Sequence, residues 1–202
     1  MANSRGGGHH ALMPEPAAIV PPSAPPLPDF RFHPDPILSG SIEASAEVCG
    51  CCDQARGFVY TGPCYIEQEF AAVLCPWCIG DGSAYRRFGV TFHELDLPHS
   101  TDVAILDEIE ERTPGMCTWN PIAWPVCCKL PMAYLEPAGC AEIRLRHPPL
   151  ASGLVQQMSQ DLRVPVAAAK ELFHRLHRDV APTAHVFRCL TCSRLRARID
   201  QD

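Results

Sequence analysis

Two cysteine pairs constrain this chain more than anything else in it. Cys49-Gly50-Cys51-Cys52 and Cys75-Pro76-Trp77-Cys78 stand 22 residues apart. Two thiolates at C-x-x-C spacing converge on one tetrahedral ion, and a second pair closes the shell, so Cys49, Cys52, Cys75 and Cys78 predict a structural zinc site. Between the pairs, 57–62 (Gly-Phe-Val-Tyr-Thr-Gly) reads as a strand and Tyr65 to Phe70 as its hairpin partner; after Cys78, Ile79 to Phe88 reads as a short helix. Knuckle, hairpin, knuckle, helix is the order of a treble-clef zinc site. Cys51 is the extra thiol, either a substitute for Cys49 or Cys52 or a spectator, and the spacing favours the spectator. A redox dithiol at Cys75 and Cys78 is the rival reading, but it requires a βαβ setting that this segment lacks.

The chain carries 12 cysteines among 202 residues. So many thiols mean either disulfides in a secreted domain or metal in an intracellular one. The start of the chain shows no charged, apolar and cleavable leader, and no apolar run reaches the length of a membrane span. Metal, no membrane association and a cytoplasmic location are therefore expected.

A third pair, Cys189-Leu190-Thr191-Cys192, sits between two alternating stretches, Val186-Arg188-Leu190 and Leu195-Ala197-Ile199, as in the hairpin of a zinc ribbon. It needs two more ligands. Cys128 is expected as the third, with Cys127 or Cys140 completing the set; Cys117 is assigned no role.

Residues 1–28 are rich in Pro, Ala, Gly and Ser and read as a disordered tail. A zinc-binding treble-clef-like core is expected over 29–142, opening with a strand at Phe30 and Phe32. A helical segment with the zinc-ribbon-like hairpin follows over 143–202, as part of the same domain or as a second one. Thr101 to Glu111, Leu154 to Leu162 and Val166 to Leu176 read as helices, and 147–149 as a Pro-rich connection. The architecture is thus α+β, a small zinc-stabilised protein with a disordered N-terminal tail.

Net charge is −6, unevenly distributed: residues 1–142 hold 7 Lys and Arg against 18 Asp and Glu, and 143–202 hold 10 against 5. Arg194, Arg196 and Arg198 recur at period 2 and share one strand face, with Arg188 on the preceding strand. They are the candidate nucleic-acid contacts, and a solvated basic face is the simpler reading. Arg112-Thr113-Pro114-Gly115 with Trp119 and Trp124 is the best candidate surface without cysteine, although buried tryptophans and a helix-capping Arg112 are the favoured explanation. No nucleophile with its base stands out, and Asp81-Gly82-Ser83 lacks the elbow motif of a reactive serine.

The residues also carry a resemblance. His33-Pro34-Asp35-Pro36, Cys49 to Cys52, Tyr60-Thr61-Gly62-Pro63, Cys75 to Ile79 with Asp81 to Ala84, Arg112 to Gly115, Trp119, Trp124, Cys128 and Phe187 to Cys192 together resemble the CbrC family over about residues 29–202. That resemblance implies a bacterial protein associated with colicin tolerance or stress response and brings no catalytic activity. Met132 stands where the family pattern has a further cysteine, and Asn120 where it has glutamine. A non-catalytic interaction module with a protein partner is the leading expectation, a nucleic-acid binder the alternative, and a zinc-dependent or dithiol enzyme the second alternative.

Overall fold

The computed structural model describes residues 25–66, 71–95, 97, 101–120 and 123–201. Most of the expected disordered tail, 1–24, lies outside them. Pro26 is within them, and its carbonyl accepts a hydrogen bond from the Trp77 indole at 3.1 Å.

Strand β1 (Ile42–Ala44) pairs antiparallel with β2 (Phe58–Tyr60), so the first knuckle is the loop between them. This replaces the expected hairpin. The partner of β2 precedes the knuckle, while Tyr65 forms a bridge with Thr91 instead; 67–70 lie outside the described residues. The expected helix after Cys78 is two short ones, α1 (Pro76–Gly80) and α2 (Ser83–Phe88). The break falls at Gly82, whose φ of +74° is the left-handed conformation that favours glycine. Helix α3 (Val103–Arg112) starts where the Asp102 carboxylate accepts the Ala104 N–H at 2.9 Å. It stops at Thr113, held extended by Pro114.

A tight hairpin, β3 (Val126–Cys127) with β4 (Leu130–Pro131), leads into β5 (Ala133–Ala138). Helices α4 (Cys140–Arg146), α5 (Pro148–Asp161) and α6 (Val166–Arg175) follow, then β6 (Thr183–Arg188) and β7 (Leu195–Asp200). The three long strands form one antiparallel sheet in the order β5-β6-β7. A strand from before residue 142 therefore shares a sheet with two from after it. The prolines of 147–149 do not form a connection: Pro148 and Pro149 open α5, where a missing N–H costs no intrahelical bond. The chain is a mixed α+β protein with two four-cysteine clusters. No helix of the described residues is long and apolar enough to cross a membrane.

The period-2 alternation of the sheet separates two cores. Ala184, Val186 and Ala197 face α4 to α6, against Ile143, Leu154, Met158 and Phe173. On the other face Phe187 and Tyr134 pack with Phe32, Ile109, Met132 and Trp124. The third core, which includes Phe30, Ile42, Leu74, Ile79 and Phe92, surrounds the first cysteine cluster. Phe30 and Phe32 thus alternate as expected but serve two different cores from a turn, not a strand; the Phe32 carbonyl accepts the Tyr134 N–H at 2.8 Å.

Candidate metal centres

Cys49, Cys52, Cys75 and Cys78 form one group, and Cys127, Cys128, Cys189 and Cys192 a second; within each, every sulfur lies within 4.8 Å of the others. In the first, Cys49 and Cys78 are 3.9 Å apart at sulfur and Cys52 and Cys75 3.8 Å. In the second, Cys127 stands 3.7 Å from Cys192 and 3.9 Å from Cys128. A zinc ion with Zn–S bonds of about 2.3 Å sets tetrahedral thiolates about 3.8 Å apart, so these spacings match the edges of such a shell. A disulfide would need sulfurs at about 2.05 Å.

The knuckles of the two clusters share one backbone design. The N–H of Asp53 meets the carbonyl of Cys49 at 2.8 Å, and that of Ser193 meets the carbonyl of Cys189 at 3.0 Å. The N–H groups of Cys49 and Cys189 return to Gln54 and Arg194 at 3.0 and 2.9 Å. Asp53 and Ser193 are both left-handed, at φ 56° and 58°. This folds each C-x-x-C so that backbone N–H groups point at its first sulfur. Cys49 Sγ accepts from Cys51 at 3.4 Å and Cys75 at 3.2 Å, and Cys189 Sγ from Thr191 and Cys192 at 3.4 Å each.

Electrostatics follow from that arrangement. Burial opposes ionisation of Cys49, but the N–H groups of Cys52, Cys51 and Cys75 outweigh it and bring the thiol down to about 7. Cys189, with the Cys192 N–H first among its donors, falls to about 6. The neighbours move the other way: burial pushes Cys75 up to about 11 and also raises Cys78, and the Cys192 thiol first of all holds Cys128 up at about 12. Each cluster without a cation favours one thiolate and resists the next. A bound dication reverses this and holds all four thiols ionised. Both clusters are able to hold a metal ion.

Of the candidates for the second site, the structure brings Cys127 and Cys128 together and leaves Cys140 in α4, packed against the helical core. Adjacent residues of a strand point to opposite faces, so two neighbouring cysteines reach one point only if the chain turns there. It does: Cys128 and Lys129 lie at φ 52° and 66°, the two left-handed positions of a two-residue hairpin turn. Met132 is fully buried in the core with Trp124 and Phe187, an apolar role. Cys51 stays outside the first cluster, its sulfur 3.6 Å from the Ser83 hydroxyl, which also donates to the Cys78 carbonyl at 3.3 Å. Ser83 therefore braces the knuckle.

The other sequence candidates separate. Trp124 is 3% exposed and its indole donates to the Met132 carbonyl at 2.8 Å, whereas Trp119 is 56% exposed. Pro114 supplies the carbonyl that meets His33 at 2.7 Å and His93 at 3.2 Å, so the Thr-Pro-Gly segment joins buried polar groups. Arg188 and Arg194 are exposed; Arg196 and Arg198 are half-buried, with Arg198 3.9 Å from Asp161. A cavity of ≈ 260 Å³ is lined by Cys117, Trp119, Arg178 and His185 among others. His185 is held between the Tyr134 hydroxyl at 3.4 Å and Asp200 at 3.5 Å, and burial raises the Cys117 thiol, the opposite of what an activated nucleophile needs.

One buried network had no sequence signal. Glu136, 1% exposed, is gripped by Arg146 at 2.8 and 2.5 Å, His147 at 2.8 Å and Arg178 at 2.9 Å. It ties β5 to the end of α4 and to the segment after α6, and Arg178 continues to the Leu38 carbonyl.

Relatives match most of this chain. A UPF0167 protein of Pseudomonas aeruginosa is 41% identical over 181 residues, covering 87% of this chain and 98% of that protein. UPF0167 proteins of Mycobacterium bovis and Mycobacterium tuberculosis are each 38% identical over 168 residues, covering 82% of this chain and 89% of theirs. No solved structure matches. The profile of the uncharacterised protein family UPF0167 matches residues 27–201, and with these relatives it shows that the chain belongs to that family.

Proposed function

We propose that the protein is a non-catalytic interaction module, of the kind implied by its resemblance to the CbrC family, in which two structural zinc ions hold a surface for a protein partner. The observation that carries the zinc reading is that in each cluster all four sulfurs lie within 4.8 Å of one another and two pairs stand 3.7–3.9 Å apart, the edge length of a tetrahedral zinc–thiolate shell. Four thiolates saturate each ion and leave no coordination position for a substrate or an activated water, which favours a structural role. Thiolate sites of this kind persist where thiols stay reduced, in keeping with a cytoplasmic location. The biological setting suggested by the resemblance is colicin tolerance or a stress response.

A protein partner is favoured over nucleic acid because the arginine row is incomplete as a phosphate track: Arg196 and Arg198 are half-buried, and Arg198 is close to Asp161. The test is zinc per chain by elemental analysis of protein purified without added metal, with cobalt substitution to read the ligand field. Two ions per chain with tetrahedral all-thiolate cobalt spectra are expected. Protein without zinc, or with disulfides among these cysteines, overturns the reading. Binding to duplex DNA that weakens steeply with added salt would replace the protein partner by nucleic acid.

A further inference from the structure

The two clusters are alike in knuckle design and unlike in shelter. Cys49, Cys75 and Cys78 are 1%, 1% and 3% exposed, within a core that includes Leu74, Ile79 and Ala84, and Cys52 is half-buried at its edge; none of the four is open to solvent. In the second cluster only Cys189 is buried, at 2%; Cys127 is half-buried, and Cys128 and Cys192 are open to solvent. Thiol oxidation requires a thiolate and a path for the oxidant, and a bound dication supplies the thiolate in both clusters alike. Access therefore decides between them, and it selects the second.

We infer that Cys192 and Cys127 form a peroxide-oxidisable pair, and that their oxidation to a disulfide opens the second cluster. The supply of thiolates and the release of an ion rest on the zinc reading above; the choice of partners rests on the sulfur geometry and on exposure. Cys192 is exposed and its sulfur lies 3.7 Å from that of Cys127, on a segment 65 residues away. Cys128 is at a similar sulfur distance from Cys127 but is its sequence neighbour. Adjacent Cα atoms are about 3.8 Å apart, short of the roughly 4.4–6.8 Å that disulfides span. Cys189 is the sheltered member, its sulfur occupied by two N–H groups.

The chemistry balances with hydrogen peroxide as the oxidant. The Cys192 thiolate attacks one peroxide oxygen, the O–O bond breaks, and hydroxide leaves a sulfenic acid on Cys192. The Cys127 thiolate then attacks that sulfur, the S–O bond breaks, and a second hydroxide leaves as the S–S bond forms. Two thiolates have given two electrons to the peroxide, and two solvent protons turn both hydroxides into water. An ion there retains only Cys128 and Cys189, half of its shell.

The experiment uses the full-length zinc-loaded protein. Its zinc is counted first, hydrogen peroxide is titrated in, released zinc is read with a chromophoric chelator, and disulfides are mapped by mass spectrometry of a non-reducing digest. The expected result is loss of one ion of two, a Cys127–Cys192 linked peptide pair, and Cys49, Cys52, Cys75 and Cys78 recovered as free thiols; dithiothreitol with zinc should restore the second ion. A first bridge within the cluster of Cys49, Cys52, Cys75 and Cys78, a bridge from Cys128 to either Cys127 or Cys192, or oxidation confined to Cys64 and Cys117 would overturn the inference. A starting content below two ions counts against the zinc reading alone, because the disulfide map still decides the pairing.

Discussion

Replacing Glu136 by glutamine keeps the shape of the buried network and removes only its charge. In the folded protein the carboxylate accepts both N–H groups of an Arg146 fork at 2.8 and 2.5 Å, Arg178 at 2.9 Å and His147 at 2.8 Å. Glutamine leaves one acceptor oxygen and turns an NH₂ toward guanidinium donors. At least two charge-assisted bonds are lost, each worth about 1.5–3 kcal/mol. Some of that returns, because the Arg146 and Arg178 side chains are 34% and 23% exposed and can turn to water. A net cost of about 3 kcal/mol remains, at the lower end of what removing one member of a buried ion pair costs. For a chain of this size that is a fall in Tm of roughly 6–12 °C. The effect should depend on pH. Burial raises the Glu136 pKa, but Arg146 and His147 outweigh it and hold the carboxyl below the ordinary range. Its stabilisation is therefore fully present above the unfolded value of about 4.3 and is lost as pH falls through the lower folded value. Urea unfolding of wild type and E136Q at neutral pH, repeated at decreasing pH, measures this. A difference under about 0.5 kcal/mol at neutral pH would refute the reasoning, since that is the range of ordinary surface substitutions.

The remaining predictions concern the clusters and the buried polar core. C78S should unfold the first core, because structural zinc contributes about 10 kcal/mol or more to folding against a total stability of about 5–15 kcal/mol; near-UV circular dichroism and zinc content check it. C128S, at an exposed member of the second cluster, should remain folded with one ion per chain and a lowered Tm, since the adjoining core of Trp124, Met132 and Phe187 is held by apolar packing. G115A should cost about 2 kcal/mol in chemical denaturation, because a Cβ there would sit 2.5 Å from the Phe92 carbonyl oxygen and 2.6 Å from the Tyr60 hydroxyl. Burial lowers His33 to about 4 and His93 to about 3, so the unfolded chain binds protons that the folded one refuses. Stability should fall as pH drops from about 6.5 toward 5, by about 1.4 kcal/mol per pH unit for each histidine once the unfolded form is protonated; a flat urea midpoint over that window would contradict it.

Local spacing determined a good deal. A C-x-x-C pair is a short-range device, able to converge on one ion with few demands on the rest of the chain, and so the first cluster was legible from Cys49 to Cys78 and half of the second from Cys189 to Cys192. The amphipathic helix at Val103–Arg112 and the closing hairpin of β6 and β7 were legible for the same reason, their periodicity being local. Other features depended on contacts between distant segments. The choice of Cys127 beside Cys128, not Cys140, rested on two left-handed residues that bring neighbouring side chains to one point, and no residue type there announced it. The partner of β2 was β1, on the far side of the first knuckle, because strand pairing follows proximity in space. Glu136 read as one acid among many until Arg146, His147 and Arg178 met around it. Which thiols lie open to solvent is likewise a tertiary property: Cys49, Cys75 and Cys78 are packed within a core, whereas Cys128 and Cys192 sit exposed at the tips of two hairpins.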